Sequence, residues 1–195
     1  MLNDRSTPLS LLRTRRSGRP RDMVEPGPTP GELAEMVAVA ARTPDHGKLT
    51  PWRFVTVGRD KRDDFARLLR AAFAAERGRV DERKLEGAEA SARQAPALVV
   101  VLSAPVRGHK IPLWEQEASA GAAVMNLLHA AHAHGYAASW ITGWVAENEQ
   151  VRRAFGADGE RIVGLVYIGT PGLPLEERER PDLARVAREW DGLPA

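Results

Sequence analysis

WEQEASAGAAVMNLLHAAHAHGY, residues 114 to 136, decides how the rest of the chain is read. Trp114 to Gly135 reads as one long helix crowded with small residues: Ala118, Ser119, Ala120, Gly121, Ala122 and Ala123. Small side chains let a second backbone approach closely, which places this helix at the centre of the fold or at a subunit contact. Just before it, ALVVVLSA is a continuous apolar run of the kind buried on both faces of a sheet. Just after it come a strand, YAASWIT, a short helix, ENEQVRRAFG, closed by Gly156, and another strand, IVGLVYIG.

Towards the N-terminus, WRFVTVG alternates side to side and predicts a strand from Trp52 to Val57. Asp60 opens a helix to about Arg77 that carries Phe65, Leu68, Leu69 and Phe73 on one face. The stretch that follows, within residues 78 to 95, is charged and helical in part, either a solvated layer or a lid. Thr29, Pro30 and Glu32 form a capping-box start for a helix over 30–42, whose inward stripe is Leu33, Met36, Val37 and Ala40. PLSLLRTRR predicts a short helix over 8–16 with Leu9, Leu11 and Leu12 facing inward. Strands and helices thus mix around one long central helix. The class is α+β (mixed α/β), a sheet covered by helices, in a single domain spanning 1–195. From about 176 to 195 the chain is a charged tail with Trp190 near its end, an arm without a core of its own.

Composition narrows the chemistry. The 195 residues are 43% hydrophobic and 28% charged, as in a soluble globular protein. With no cysteine there is no disulfide framework, thiol nucleophile or Cys-based metal site, and the absence suits a reducing cytoplasm. No apolar run is long enough to cross a membrane, and the N-terminus reads as mature protein. A net charge of +2 does not make the whole molecule a nucleic-acid magnet, yet Arg13, Arg15, Arg16, Arg19 and Arg21 crowd together.

Within that crowd, RRSGR (15–19) sets a hydroxyl and a glycine between guanidinium groups, a combination that matches phosphate oxygens. On spacing alone a solvated basic arm is the plainer reading, and a nucleic-acid arm a third, without interleaved aromatics to support it. HAAHAH (129–134) lacks the carboxylate partner of a metal site and reads as ordinary helix-end histidines. Glu115 and Glu117, two apart on a helix, face different ways and make no glycosidase pair. Neither G-x-G-x-x-G, G-x-x-x-x-G-K-[ST] nor G-x-S-x-G occurs, and the GTP at 169–171 is weak alone.

Taken in order, RRSGR, ARTPDHGKLTPWRFV, WEQEASAGAAVMNLLHAAHAHGY, SWITG and IVGLVYIGTP resemble the nitroreductase family of flavin oxidoreductases, over roughly residues 8 to 175. The look is that of a small bacterial branch with Pro-Asp-His ahead of the Pro-Trp. The resemblance implies a nitroreductase-like fold with a central mixed sheet flanked by helices, in an intertwined homodimer whose C-terminal arm crosses to the partner. It implies two FMN sites at the interface, each built from both chains. Arg15 and Ser17 would hold the FMN phosphate, Arg16 would contact it mainly through backbone, and Arg19 would lie toward the pyrimidine end of the flavin. Arg178 or Arg180 would add a tail cation to the phosphate. Arg42 and His46 would reach the flavin from the neighbouring subunit, where Pro44 and Pro51 stiffen a loop so that Asp45, His46 and Lys48 stand over the ring. Trp140, Ile141, Thr142 and Gly143 would run along the isoalloxazine, supplying main-chain hydrogen bonds near N5.

The implied activity is hydride transfer from NADH or NADPH to a small-molecule oxidant such as a nitroaromatic or quinone, by ping-pong kinetics, with no nucleic acid or membrane partner. Two departures from the family pattern stand out. Thr50 replaces a more usual Asn or Gln, and Ile141 replaces a basic residue, leaving only main-chain bonding there. The rivals are a flavin specialist of the same fold, a dehalogenase or a flavin-consuming enzyme with residues 78–95 as its lid, and a nucleic-acid-binding module that uses the basic arm.

Overall fold

A computed structural model of the chain describes residues 1–78 and 81–192. Its centre is β3 (Ala97–Ser103), buried at every position as the unbroken apolar run requires. Side chains alternate across a strand, so Leu98, Val100 and Leu102 serve one core and Val99 and Val101 another. Each such fully buried side chain contributes roughly 1.5–3 kcal/mol, so both faces must be covered. One face takes α3 (Arg62–Arg77), α4 (Glu82–Ala92) and α7 (Glu149–Phe155). The other takes α2 (Pro30–Ala40) and α5 (Leu113–Ala133), the helix that the small-residue stretch predicts.

Strand β3 pairs with β2 (Trp52–Thr56) on one side and β5 (Arg161–Pro171) on the other. Along its opposite edge β5 pairs with β4 (Ala137–Ile141), and at its end with β1 (Met23–Val24). Among the described residues every pairing is antiparallel, so the sheet is antiparallel where the resemblance implies a mixed one, while the α+β class and the helices on both faces are as expected. The register of β3 on β5 steps from Val101 opposite Gly164 to Leu102 opposite Ile162, leaving Val163 in a bulge. Trp52 is buried against Ala120 and Ala123 of α5, where small side chains make room for its ring.

Local signals explain most element ends. The capping box at Thr29 and Glu32 is formed in full. The helix expected over 147–156 is present as α7, started at Glu149 by the Asn148 side chain, which accepts from Gln150 N and Val151 N, and ended at Gly156; the turn ahead of it, α6 (Trp144–Glu147), was not expected. The first helix, α1 (Pro8–Thr14), buries Leu11 alone; Leu9 and Leu12, expected inside, are 54% and 57% exposed because α1 meets the body by one edge. The two-residue β1 and the single-turn α8 (Leu183–Val186) are too short to leave a periodic signal.

Of the segment named as a lid, residues 79 and 80 lie outside the described residues. Its helix, α4, is docked on α3 through buried Ala88 and Ala92 and the ion pairs Arg70–Glu82 (2.7 Å) and Arg93–Asp63 (2.8 Å). The tail leaves Leu183, Val186 and Trp190 exposed, and residues 193–195 lie outside the described residues. No helix among the described residues is long and apolar enough to cross a membrane.

Arg62 ties the α3–α4 layer to the sheet. Its buried guanidinium donates from Nε to Val57 O (3.1 Å) and from Nη1 to Ala92 O (2.8 Å) and Gln94 O (3.2 Å). Replacing it by Leu strips three carbonyls of their donor, so Arg62→Leu is expected to cost about 2–4 kcal/mol. Urea unfolding checks this: the midpoint should fall with the slope unchanged, and an unmoved midpoint would show that the clasp is dispensable.

Candidate functional site

The cluster RRSGR occupies the exit of α1. Thr7 caps the helix start by accepting from Ser10 N, and Arg15 leaves helical geometry at the other end. From there Arg15 Nη1 donates to Ser17 Oγ (3.2 Å). The next peptide is held from several sides. Arg16 N donates to Asn3 Oδ1 (2.7 Å), and Asn3 Nδ2 donates back to Arg16 O (3.2 Å). The same carbonyl faces His132 Nε2 at 3.1 Å, and Arg16 Nε donates to Glu176 O (2.6 Å).

The tail closes over this turn. Arg180 Nη2 donates to Arg15 O (3.3 Å) and pairs with Glu177 (2.7 Å), so of the two tail arginines Arg180 is the one brought to the cluster. Burial, then the like charges of Arg180 and Arg16, weaken the hold of Arg15 on its proton. Arg19 meets only Glu176, at 3.6 Å and in the open. A cavity of about 320 Å³ runs along Arg16, Ser17, Gly18, Arg19, Met23 and Leu175.

Gly18 connects this turn to the sheet. A Cβ there would stand 3.2 Å from both Ala137 Cβ and Met23 Cε, so the bare backbone lets the loop press on the start of β4. Among the described residues strand β4 pairs with β5 alone, leaving its other edge unpaired, and about five residues at ~3.3 Å each carry it to Thr142. Trp140 lies on that route. Its Nε1 donates to Val163 O (3.0 Å), the carbonyl freed by the bulge, and its ring fills the space where a Gly164 Cβ would sit. Ile141 turns its side chain to the core, which leaves only its main chain for a ligand. Thr142 and Gly143 are exposed, with Gly143 at φ 86°, and line a second cavity of about 520 Å³ with Ser103, Glu117, Arg161 and Val163.

Arg42 and His46 stand apart from both places. Thr43, Pro44 and His46 are held down on one face of α5. Asn126 Nδ2 donates to Thr43 Oγ1 (2.7 Å), Ser119 Oγ donates to Pro44 O (2.6 Å), and His46 Nδ1 lies 2.8 Å from Glu115 Oε2. His46 lines a third cavity of about 320 Å³ with Trp114, Glu115 and Ala118, which shares no lining residue with the other two. Arg42 is exposed. Asp45 lines the same cavity as His46, and its carboxylate accepts from Leu49 N and Thr50 N, bracing a turn in which Gly47, Lys48 and Thr50 take positive φ.

Sequence reasoning therefore missed the supports. Glu115 and Ser119 are four apart on α5 and point to the same loop, a spacing that was open to reading. Asn3, His132 and the Val163 bulge carry no local signal, since each acts across a long stretch of chain. His132 faces inward to two carbonyls. His129 Nδ1, one turn earlier, is buried without a partner among the described residues.

The family model for the Nitroreductase family matches residues 12–170. "Putative NAD(P)H nitroreductase YdjA" of Escherichia coli (strain K12) is 36% identical over 166 residues, 85% of this chain and 88% of that protein. Among solved structures, a nitroreductase-like family protein from Bacillus cereus superposes with a TM-score of 0.78 at 22% identity, over 96% of this chain and 97% of that one. An iodotyrosine deiodinase bound to FMN and 3-iodo-L-tyrosine gives 0.68 at 20% identity, over 96% of this chain and 100% of that one. The order of motifs, the layered fold and these matches agree, and the chain belongs to the Nitroreductase family.

Proposed function

We propose that the protein is an FMN-dependent NAD(P)H oxidoreductase acting on nitroaromatics, quinones or similar electron-poor acceptors, as a homodimer in the cytoplasm. The observation that carries the reading is the turn after α1, where like-charged guanidinium groups are gathered beside a chain path that leads along an open strand edge. Arg15 is half-buried and its charge is opposed by Arg16 and Arg180, a strain that a phosphate would relieve. The Ser17 N–H makes no hydrogen bond among the described residues and is free to meet an anion. These residues fit the phosphate of FMN.

Arg15 and the Ser17 hydroxyl and N–H hold the phosphate in this reading, with Arg180 as the tail cation; the backbone contact from Arg16 that the resemblance implies has no part in it, because the Arg16 N–H is spent on Asn3 Oδ1. The main chain of Ile141, Thr142 and Gly143 bonds the edge of the flavin ring, and Trp140 walls it. When bound, FMN supplies at N5 the centre that accepts hydride from NADH or NADPH and passes it to the oxidant. The two substrates occupy one place in turn, which makes the kinetics ping-pong. Arg19, exposed and loosely paired, supplies positive charge where the reduced ring gathers negative charge.

Exposed apolar groups support the dimer. Leu9, Leu12 and Trp114, and Leu183, Val186 and Trp190 of the tail, are uncovered in the single chain. His46 lines a cavity of its own and Arg42 is exposed nearby in sequence, as residues lent to a neighbour's site would be.

Replacing Arg15 and Ser17 together by Ala should weaken FMN at least about a hundredfold and leave a folded protein, read by flavin content and far-ultraviolet circular dichroism. Unchanged flavin occupancy would overturn the phosphate assignment. His46→Ala should lower kcat/KM with NADH and a nitroaromatic while the unfolding midpoint barely moves; the reverse pattern would make His46 a structural residue. In Gly164→Ala the new Cβ would stand 2.1 Å from Trp140 Nε1, so the indole must leave its seat. A changed near-ultraviolet tryptophan signal and a loss of about 1–3 kcal/mol are expected.

A further inference from the structure

His132 is wholly buried on α5, and both its ring nitrogens face backbone oxygens: Nδ1 lies 2.5 Å from Leu128 O and Nε2 3.1 Å from Arg16 O. A neutral imidazole carries one N–H and can donate to only one of them, whereas an imidazolium donates to both. The free protein disfavours that charge. Burial, Arg15 from the turn after α1, and His129 on α5 all oppose it, and the two carbonyls favour it. Asn3, from the N-terminal segment, is neutral, and the Arg5 guanidinium lies over Gly135, three residues past His132 at the same end of α5, a further cation on that side of the ring.

The carbonyl that Nε2 meets belongs to the peptide that ends in the Ser17 N–H. A trans peptide is planar and its C=O and N–H point in opposite directions. Fixing Arg16 O against His132 and Asn3 therefore aims the Ser17 N–H the other way, away from both of them.

We infer that His132 is a positioning residue for the anion turn: it holds the Arg16–Ser17 peptide so that the Ser17 N–H faces a bound phosphate, and it takes a proton from solvent when that phosphate arrives. The inference rests on the proposed placement of the FMN phosphate at this turn. Burial is the main opponent of charge on the ring and Arg15 a lesser one; a dianion offsets Arg15 and so moves the balance towards the imidazolium, whose two N–H groups satisfy both carbonyls. Linkage sets the sign: proton uptake on binding means that affinity rises as pH falls through the interval between the free and bound pKa values. His129 sits near the same arginine and must be separated from it.

The test is a long-range proton–nitrogen NMR spectrum of the imidazoles in flavin-free wild-type protein, then with FMN, then with riboflavin, which lacks the phosphate. His132→Gln and His129→Gln assign the signals. FMN should bring both His132 nitrogens to the protonated shift, while riboflavin leaves a single neutral tautomer. In parallel, the ratio of FMN to riboflavin affinity should fall about tenfold in His132→Gln and lose its rise towards pH 6 relative to wild type, since one pKa unit of linkage is tenfold. Asn3→Gly, which keeps the positive φ of Asn3 and removes the other clamp, should weaken FMN and spare riboflavin. FMN that binds while His132 stays neutral would overturn the inference and leave the flavin reading standing. Failure of FMN to bind at all would overturn both.

Discussion

Repulsion among guanidinium groups at the exit of α1 is the constraint on which the rest depends. Arg15 sits partly out of water with Arg16 and Arg180 close by, and the acids paired with this cluster, Glu176 with Arg19 and Glu177 with Arg180, are exposed residues of the tail. A solvated basic arm would spread its charges apart. Here the chain does the opposite, pinning the Arg16 peptide through Asn3 and His132 and its side chain through the Glu176 carbonyl. Rigid backbone held around converging positive charge is pre-organised for an anion, because the ordering cost is met during folding rather than at binding.

In the proposed site it is the sheet that connects the turn after α1 with the stretch Trp140–Gly143. Strand β5 pairs along both edges, so it can be buried and carry β4 outward with one edge left open. Gly18 presses the turn against the first residue of β4, and the strand runs from there to Thr142. The bulge at Val163 frees a carbonyl for Trp140, and Gly164 leaves room for its ring. The small residues of α5 serve two ends at once, seating Trp52 on the inner side and leaving Ala118 and Ala122 exposed on the outer.

Much of this was legible in the sequence. Core elements announce themselves because burial imposes a period: β3 is apolar throughout, α2 carries its stripe and its capping box, and α5 carries its run of small side chains. The motifs in order pointed to the family before any coordinates. What could not be read depends on contacts between distant parts of the chain. The inward reading of Leu9 and Leu12 failed because a helix that meets the core by one edge needs only Leu11. That Asp45 also braces its own turn, accepting from Leu49 N and Thr50 N, was not legible, because residue types alone do not show which amides in the loop lack a partner. His132 looked like a helix-end histidine, and its role lies in a carbonyl more than a hundred residues earlier.

A crystal structure of the protein with FMN tests the central claim most directly. The account predicts the phosphate within hydrogen-bond distance of Arg15 and the Ser17 N–H, with the ring along the open edge of β4 toward Thr142 and Gly143 and a second chain completing the site. A phosphate seated elsewhere, with the turn after α1 bare, would contradict it.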